Sequence, residues 1–233
     1  MLSREELLVG ELIVEGRLVD ASNATLFGKV LTSEKSCFSV VYKPIAGERA
    51  LWDFADGNLA SREVAAFLIS QIGNFNCVPL TVMRDGPFGI GAVQQWIELD
   101  PDLDLIAIGQ QSSPAIRNLA LFDVVINNTD RKFGHILPIS DSEILGCDHG
   151  LTFHEEFKLR TVIWHYAGEE LDKNEIEKLK ALKSQIADKS RAALEKLINA
   201  DEIKALLERI DTLISEGFPY PSEQWPAVPW PPV

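Results

Sequence analysis

Positive charge is scarce in this chain: 22 Lys and Arg stand against 35 Asp and Glu, a formal net charge of −13. Binding a phosphate backbone takes a concentrated cationic face, so nucleic acid is excluded as the main partner. A single nucleotide is not excluded, because one or two basic groups, backbone N–H groups and a divalent cation hold it, and acidic residues bring the cation. Cysteine is sparse too. Cys37, Cys77 and Cys147 form no CxxC pair, which removes zinc and dithiol motifs, and their apolar neighbours mark them as reduced core residues. No apolar run approaches the ~18–20 residues of a membrane span. The opening MLSREELLVGELIVEG lacks the basic start and long apolar centre of a signal peptide, so a cytoplasmic protein is expected. With 46% hydrophobic residues among 233, the chain has material for one large domain or two small lobes sharing a cleft.

Short β-branched runs, ELIVEGRLV, ATLFGKVLT and SCFSVVYKP, are separated by polar turns and predict three antiparallel strands. LASREVAAFLISQIG carries apolar residues at helical spacing, with Gly73 as its stop, and CVPLTVMRDGPFGIGAVQQWIEL predicts two strands about a hairpin. After Asp100 helix takes over. Ser113 and Pro114 start a helix that runs to Asn127. Residues 173–216 are helical at three- and four-residue apolar spacing, with a division at Asn199-Ala200-Asp201. The Pro- and Trp-rich tail, 218–233, has no periodicity and either wraps onto the body or binds a protein partner. The fold class expected is α+β, with a β-rich unit over residues 1–100 and a mainly helical one over 101–233.

Within residues 122–150, FDVVINNTDRKFGHILPISDSEILGCDHG, two apolar runs each end in acidic or amide side chains, and a short hairpin lies between them. Phosphoryl-transfer sites are laid out in this way, with an orienting or basic carboxylate on one loop and a metal-binding carboxylate at the next turn. Asp130 takes the first place and Asp148 the second. His135 stands five residues after Asp130, where a kinase loop carries a metal-binding Asn. It is either a ligand, with Mn²⁺ then favoured over Mg²⁺, or no ligand at all. Arg131 and Lys132 either neutralise a transferred phosphoryl group or pair with loop carboxylates. Asn127 and Asn128 either stabilise the turn or replace the missing metal amide. Upstream, Lys43 ends a strand built for burial, so it either snorkels to solvent or holds nucleotide phosphates. Glu63, early in the next helix, either serves the helix dipole or pairs with that lysine. Ser22, Asn23 and Thr25 offer phosphate donors between the first two strands, without the glycines of GxGxxG. Gln95 and Ile97 end the fifth strand, where an interlobe hinge would read adenine.

Six segments carry a resemblance: SNAT (22–25), VYKPIAGERALWDF (41–54), SREVAAFLIS (61–70), FDVVINNTDRKFGHIL (122–137), CDHGLTFH (147–154) and KLRTVIWHYAGEEL (158–171). In these the chain resembles a group of small actinobacterial proteins of the phosphatidylinositol 3-/4-kinase-like (atypical protein kinase-like) superfamily. The resemblance implies a two-lobed protein kinase-like fold, with an antiparallel β-rich N-lobe, a reduced, mainly helical C-lobe and ATP between them. It makes Lys43 the phosphate-binding lysine, Glu63 its helix partner, Asp130 the catalytic-loop aspartate and Asp148 the metal ligand. Lipid kinases have DRHxxN where this chain has Asp130-Arg131-Lys132-Phe133-Gly134-His135. The expected function is an ATP- and Mg²⁺- or Mn²⁺-dependent phosphotransferase acting on a protein side chain or a small hydroxylated molecule. Two alternatives use the same lobes: a pseudokinase that senses nucleotide, and a transferase that passes on AMP.

Overall fold

The computed structural model describes residues 2–18, 23–51, 53–54, 57–140 and 142–233. Five strands, β1 (Glu11–Arg17), β2 (Leu26–Leu31), β3 (Cys37–Pro44), β4 (Thr81–Gly86) and β5 (Gly89–Gln95), form one antiparallel sheet in the order β1-β2-β3-β5-β4. Successive side chains of a strand point to opposite faces. In β3 this sends Val40 and Tyr42 into a small core with Leu7, Leu12, Val30, Val82 and Val93, and turns Lys43 to the other face. The core is closed by α1 (Arg4–Val9), a helix the sequence reading left unassigned although its signal is present. Ser3 and Glu6 form a reciprocal capping box, which satisfies two otherwise unpaired donors.

The helix α2 (Leu59–Ile72) starts at Asn58, whose side chain accepts the Ser61 N–H at 2.7 Å, and stops at Gly73. After α3 (Leu105–Gly109), the Ser113-capped helix α4 (Pro114–Ile126) is buried along most of its length. Ala65, Ala66 and Ile69 of α2 join Leu119, Phe122 and Ile126 of α4 in the larger of the two cores. A hairpin follows, β6 (Ile136–Ser140) with β7 (Glu143–Gly146), as expected between the two polar clusters. The C-terminal helical stretch is divided twice, into α5 (Lys173–Ala187), α6 (Arg191–Leu194) and α7 (Ala200–Glu216). Asn199 caps α7 in a box with Glu202. The other break, at Asp188, is hidden in sequence by an uninterrupted run of charged and apolar residues.

One expectation about the thiols is corrected. Cys77 is buried and Cys147 half-buried, but Cys37 is exposed, because it falls on the first residue of β3, ahead of the buried positions. No described helix is long and apolar enough to cross a membrane. Of the two expectations for the tail, the structure has it on the body: Ala227 C=O accepts from Thr161 N–H (3.0 Å) and Trp164 Nε1–H (2.8 Å), and Pro232 C=O from Phe133 N–H (2.9 Å).

Candidate functional site

Three segments of the chain converge on one cavity of about 180 Å³. From β3 comes Lys43 and from α2 comes Glu63. The connection from α4 to β7 supplies Asp130, His135 and, just past the hairpin, Asp148. The Lys43 ammonium donates to Glu63 Oε1 and, at 2.7 Å, to Asp148 Oδ1. The other Glu63 oxygen accepts the His149 N–H at 3.0 Å, so the helix carboxylate is held from two sides. Lys43 is therefore bound between two acids and does not snorkel freely.

His135 uses its two nitrogens differently. Nδ1 lies 2.9 Å from the Asp130 carbonyl oxygen, which can only accept, so Nδ1 carries the proton. In the neutral ring Nε2 then presents a lone pair, 3.4 Å from Asp148 Oδ2. One ligand atom each from Asp130, His135 and Asp148 lie within 4.8 Å of one another. Burial pushes the His135 pKa down to about 4, against the upward pull of Asp148, so the ring is neutral at pH 7. A lone pair and a carboxylate oxygen at that separation repel unless a cation lies between them, and an imidazole plus carboxylates is a donor set that fits a divalent cation.

The other charges follow from the same geometry. Burial alone lowers Lys43, but the Asp148 and Glu63 carboxylates outweigh it and raise the ammonium above its usual value. Lys43 in turn holds Asp148 well below the carboxylate range. Burial raises Glu63, with the Lys43 charge opposing it. Burial also raises Asp130, against the Lys132 and Arg160 charges that lower it. The site thus separates a carboxylate kept ionised, Asp148, from one shifted toward proton uptake, Asp130.

Several neighbours build the loop instead of facing the cavity. Asn127 ends α4 in the left-handed region (φ 52°), donates to the His154 and Glu156 carbonyls and accepts the Lys158 N–H. Asn128 donates to Asp123 Oδ1 and accepts the Asp130 N–H at 3.0 Å. Both amides are fully buried and spent, which answers the alternative that they replace a metal amide. Arg131 is also fully buried: it forks onto both Asp123 oxygens at 2.9 Å and donates to the carbonyls of His135 and Cys147. It ties the Asp130 loop to the Asp148 turn and does not reach a phosphoryl group. Lys132 does line the cavity, its Nζ 3.5 Å from Asp130 Oδ2.

Ser22 lies outside the described residues. Asn23 and Thr25 line the cavity, although Asn23 Oδ1 already accepts the Arg49 N–H at 2.9 Å. Gln95 and Ile97 are not among its lining residues. Glu48, which the sequence reading missed, is. Its two oxygens accept the first N–H groups of α2, from Leu59 (2.9 Å) and Ala60 (2.8 Å), so those donors are not free for phosphate. A lone Glu after a glycine turn carries no periodic signal that would have marked it.

No family model matches the chain. Solved structures share its fold at low identity. Hydra Fam20 with sugar has a TM-score of 0.64 at 12% identity, over 91% of this chain and 86% of that one. The Golgi casein kinase has a TM-score of 0.57 at 13% identity, over 91% of this chain and 72% of that one. With Mn/ADP bound, the Golgi casein kinase gives 0.59 at 12% identity, over 91% and 74%. The α+β, kinase-like fold expected from the sequence is the fold of the chain. Protein Rv2133c of Mycobacterium tuberculosis is 38% identical over a 258-residue alignment that spans 95% of this chain and 92% of that protein, and the chain belongs to the same family as Rv2133c.

Proposed function

We propose that this chain is an atypical kinase: an ATP- and divalent-metal-dependent phosphotransferase whose acceptor is an alcohol, on a protein side chain or a small molecule. The observation that carries the reading is Lys43 bound between Glu63 and Asp148 in a cavity that Asp130 and His135 also line. In that reading Lys43 holds the α- and β-phosphates and Glu63 holds Lys43. Asp148 and His135, with Asp130 beside them, would hold Mg²⁺ or Mn²⁺, and the bound cation supplies positive charge against the phosphates. Asp130 takes the proton of the acceptor hydroxyl. As the hydroxyl oxygen bonds to the γ-phosphorus, the bond from that phosphorus to the β–γ bridging oxygen breaks, and its electron pair leaves with ADP.

A volume of about 180 Å³ suits the phosphates and not a whole nucleotide, since pockets for complete ligands run to ~300–1,000 Å³. The adenine would lie beyond it, toward the end of β5. There the Gln95 and Trp96 amides already donate to Leu80 and Ser39, so the base edge falls to Ile97 and the carbonyls of the strand end. The Mn/ADP complex of the Golgi casein kinase supports nucleotide and metal on this fold. The phosphatidylinositol 3-/4-kinase-like label rests on the sequence resemblance. Three free thiols fit a reducing cytoplasm. The test is incubation with ATP and Mg²⁺ or Mn²⁺, followed by mass spectrometry of the nucleotide and the modified product. ADP and a phosphorylated product bear the reading out. AMP addition with pyrophosphate release replaces it by nucleotidyl transfer, and nucleotide binding without turnover replaces it by a sensing role.

A further inference from the structure

A second cavity, of about 350 Å³, lies beside the first and shares Leu151 with it. Its walls include Phe54, Thr129, Lys158, Arg160 and, from the C-terminal tail, Trp225. Arg160 is pinned to the Asp130 loop twice: its backbone N–H donates to the Asn128 carbonyl at 3.0 Å and its Nε–H to the Thr129 carbonyl at 2.7 Å. This spends one of the five guanidinium donors, and Arg160 makes no ion pair among the described residues. Lys158, in the same wall, pairs with Glu156 at 3.3 Å and lies 4.5 Å from the Trp225 ring centroid, which fixes the indole in place. Among the described residues, the one carboxylate in the cavity's lining is that of Asp53.

The tail also closes one route of entry. An extended peptide acceptor laid along the segment after Arg160 would take the Thr161 N–H, but Ala227 of the tail already accepts it at 3.0 Å. What remains open is a compact hole, small on the scale of ~300–1,000 Å³ ligand pockets, with a guanidinium beside the catalytic loop and aromatic rings in its walls.

Resting on the kinase reading above, we infer that this cavity is the acceptor site and that it takes a small hydroxylated molecule carrying an anionic group, a phosphate or a carboxylate, close to the acceptor hydroxyl. Arg160 binds the anion, Trp225 packs against the carbon skeleton, and the hydroxyl meets Asp130. The tail is then a wall of the site and neither a free docking arm nor a plug.

The test uses the full chain, with and without a non-hydrolysable ATP analogue and Mn²⁺, titrated calorimetrically with glycerol 3-phosphate and with glycerol as the uncharged probe. Glycerol 3-phosphate is expected to bind at least about tenfold tighter than glycerol, the scale of one charge-assisted hydrogen-bond pair. Arg160→Gln is expected to abolish that preference, Arg160→Lys to retain part of it, and Trp225→Ala to weaken both probes, with melting temperatures as the fold control. Equal binding of the two probes overturns the inference, as does an unchanged preference in Arg160→Gln. So does tighter binding in Trp225→Ala, which makes the tail a plug, or a serine peptide with acidic flanks that outcompetes glycerol 3-phosphate. Failure to bind the ATP analogue counts against the kinase reading alone, because the arms without nucleotide still report on Arg160.

Discussion

His135 faces the Asp130 carbonyl with one nitrogen and the Asp148 carboxylate with the other, and that division decides what the residue offers a metal. An asparagine there supplies an amide oxygen in place of the imidazole lone pair. His135→Asn is therefore expected to raise the Mg²⁺-to-Mn²⁺ ratio of ADP release by about tenfold, in line with the effect of changing a metal's immediate surroundings; an unchanged ratio means the ring is not a ligand. As the proposed proton acceptor Asp130 has to be ionised, and burial raises its pKa above the ordinary 3.8. Activity must then fall as pH drops through that raised value, while Asp148, held low by Lys43, stays ionised over the same range. A pH profile of kcat/KM with no acid limb above the ordinary aspartate value would remove Asp130 as the proton acceptor. The positions of Lys43, Glu63, Asp130 and Asp148 were legible because each is a charge at the edge of an apolar run, where it has to meet something. Arg131 was not, since its residue type is the same whether it faces a phosphate or is buried under a loop.

At the scale of elements, the orientation of α2 decides whether Glu63 reaches Lys43. The residue before Glu63, Arg62, is buried, pairs with the buried Glu202 of α7, donates to the Thr152 carbonyl at 2.6 Å and lies 4.9 Å from the Phe54 ring. Two helices and the segment after Asp148 are thereby fastened beside the site. Glu202→Gln removes one carboxylate from the buried Arg62 guanidinium, and breaking a buried pair on one side costs about 3–5 kcal/mol. Urea unfolding is expected to show a loss of that size; a change below about 1 kcal/mol would mean that the Arg62–Glu202 pair contributes little to stability. Element types followed well from sequence wherever periodicity was long, as in β1 to β5, α2, α4 and α7. Short helices escaped. The six residues of α1 and four of α6 are too few to show a helical repeat, although Ser3-x-x-Glu6 was a readable capping signal.

In the molecule as a whole, α2 belongs to two neighbourhoods, since it is next to β4 and β5 of the sheet while Ala65, Ala66 and Ile69 lie in the core of α4. A composition shift near residue 100 marks where strands give way to helices, but it carries no information on which core a helix joins. The cavity between these parts is lined by residues as distant in sequence as Asn23 and Leu151. Order along the chain predicted that convergence by analogy with the layout of phosphoryl-transfer sites and through the family resemblance, since spacing alone cannot bring a strand, a helix and two loops to one point. Phosphoryl transfer from that point is decided by metal-dependent ADP release from ATP in the wild-type protein and in Asp148→Asn. This variant keeps the Lys43–Glu63 pair and removes one negative charge. A kinase gives ADP release that needs Mg²⁺ or Mn²⁺, stops with chelator and falls at least ~100-fold in Asp148→Asn, the scale of losing one electrostatic contact to the transition state. Release that persists undiminished in Asp148→Asn, or that is absent from the wild-type protein with either metal, contradicts it.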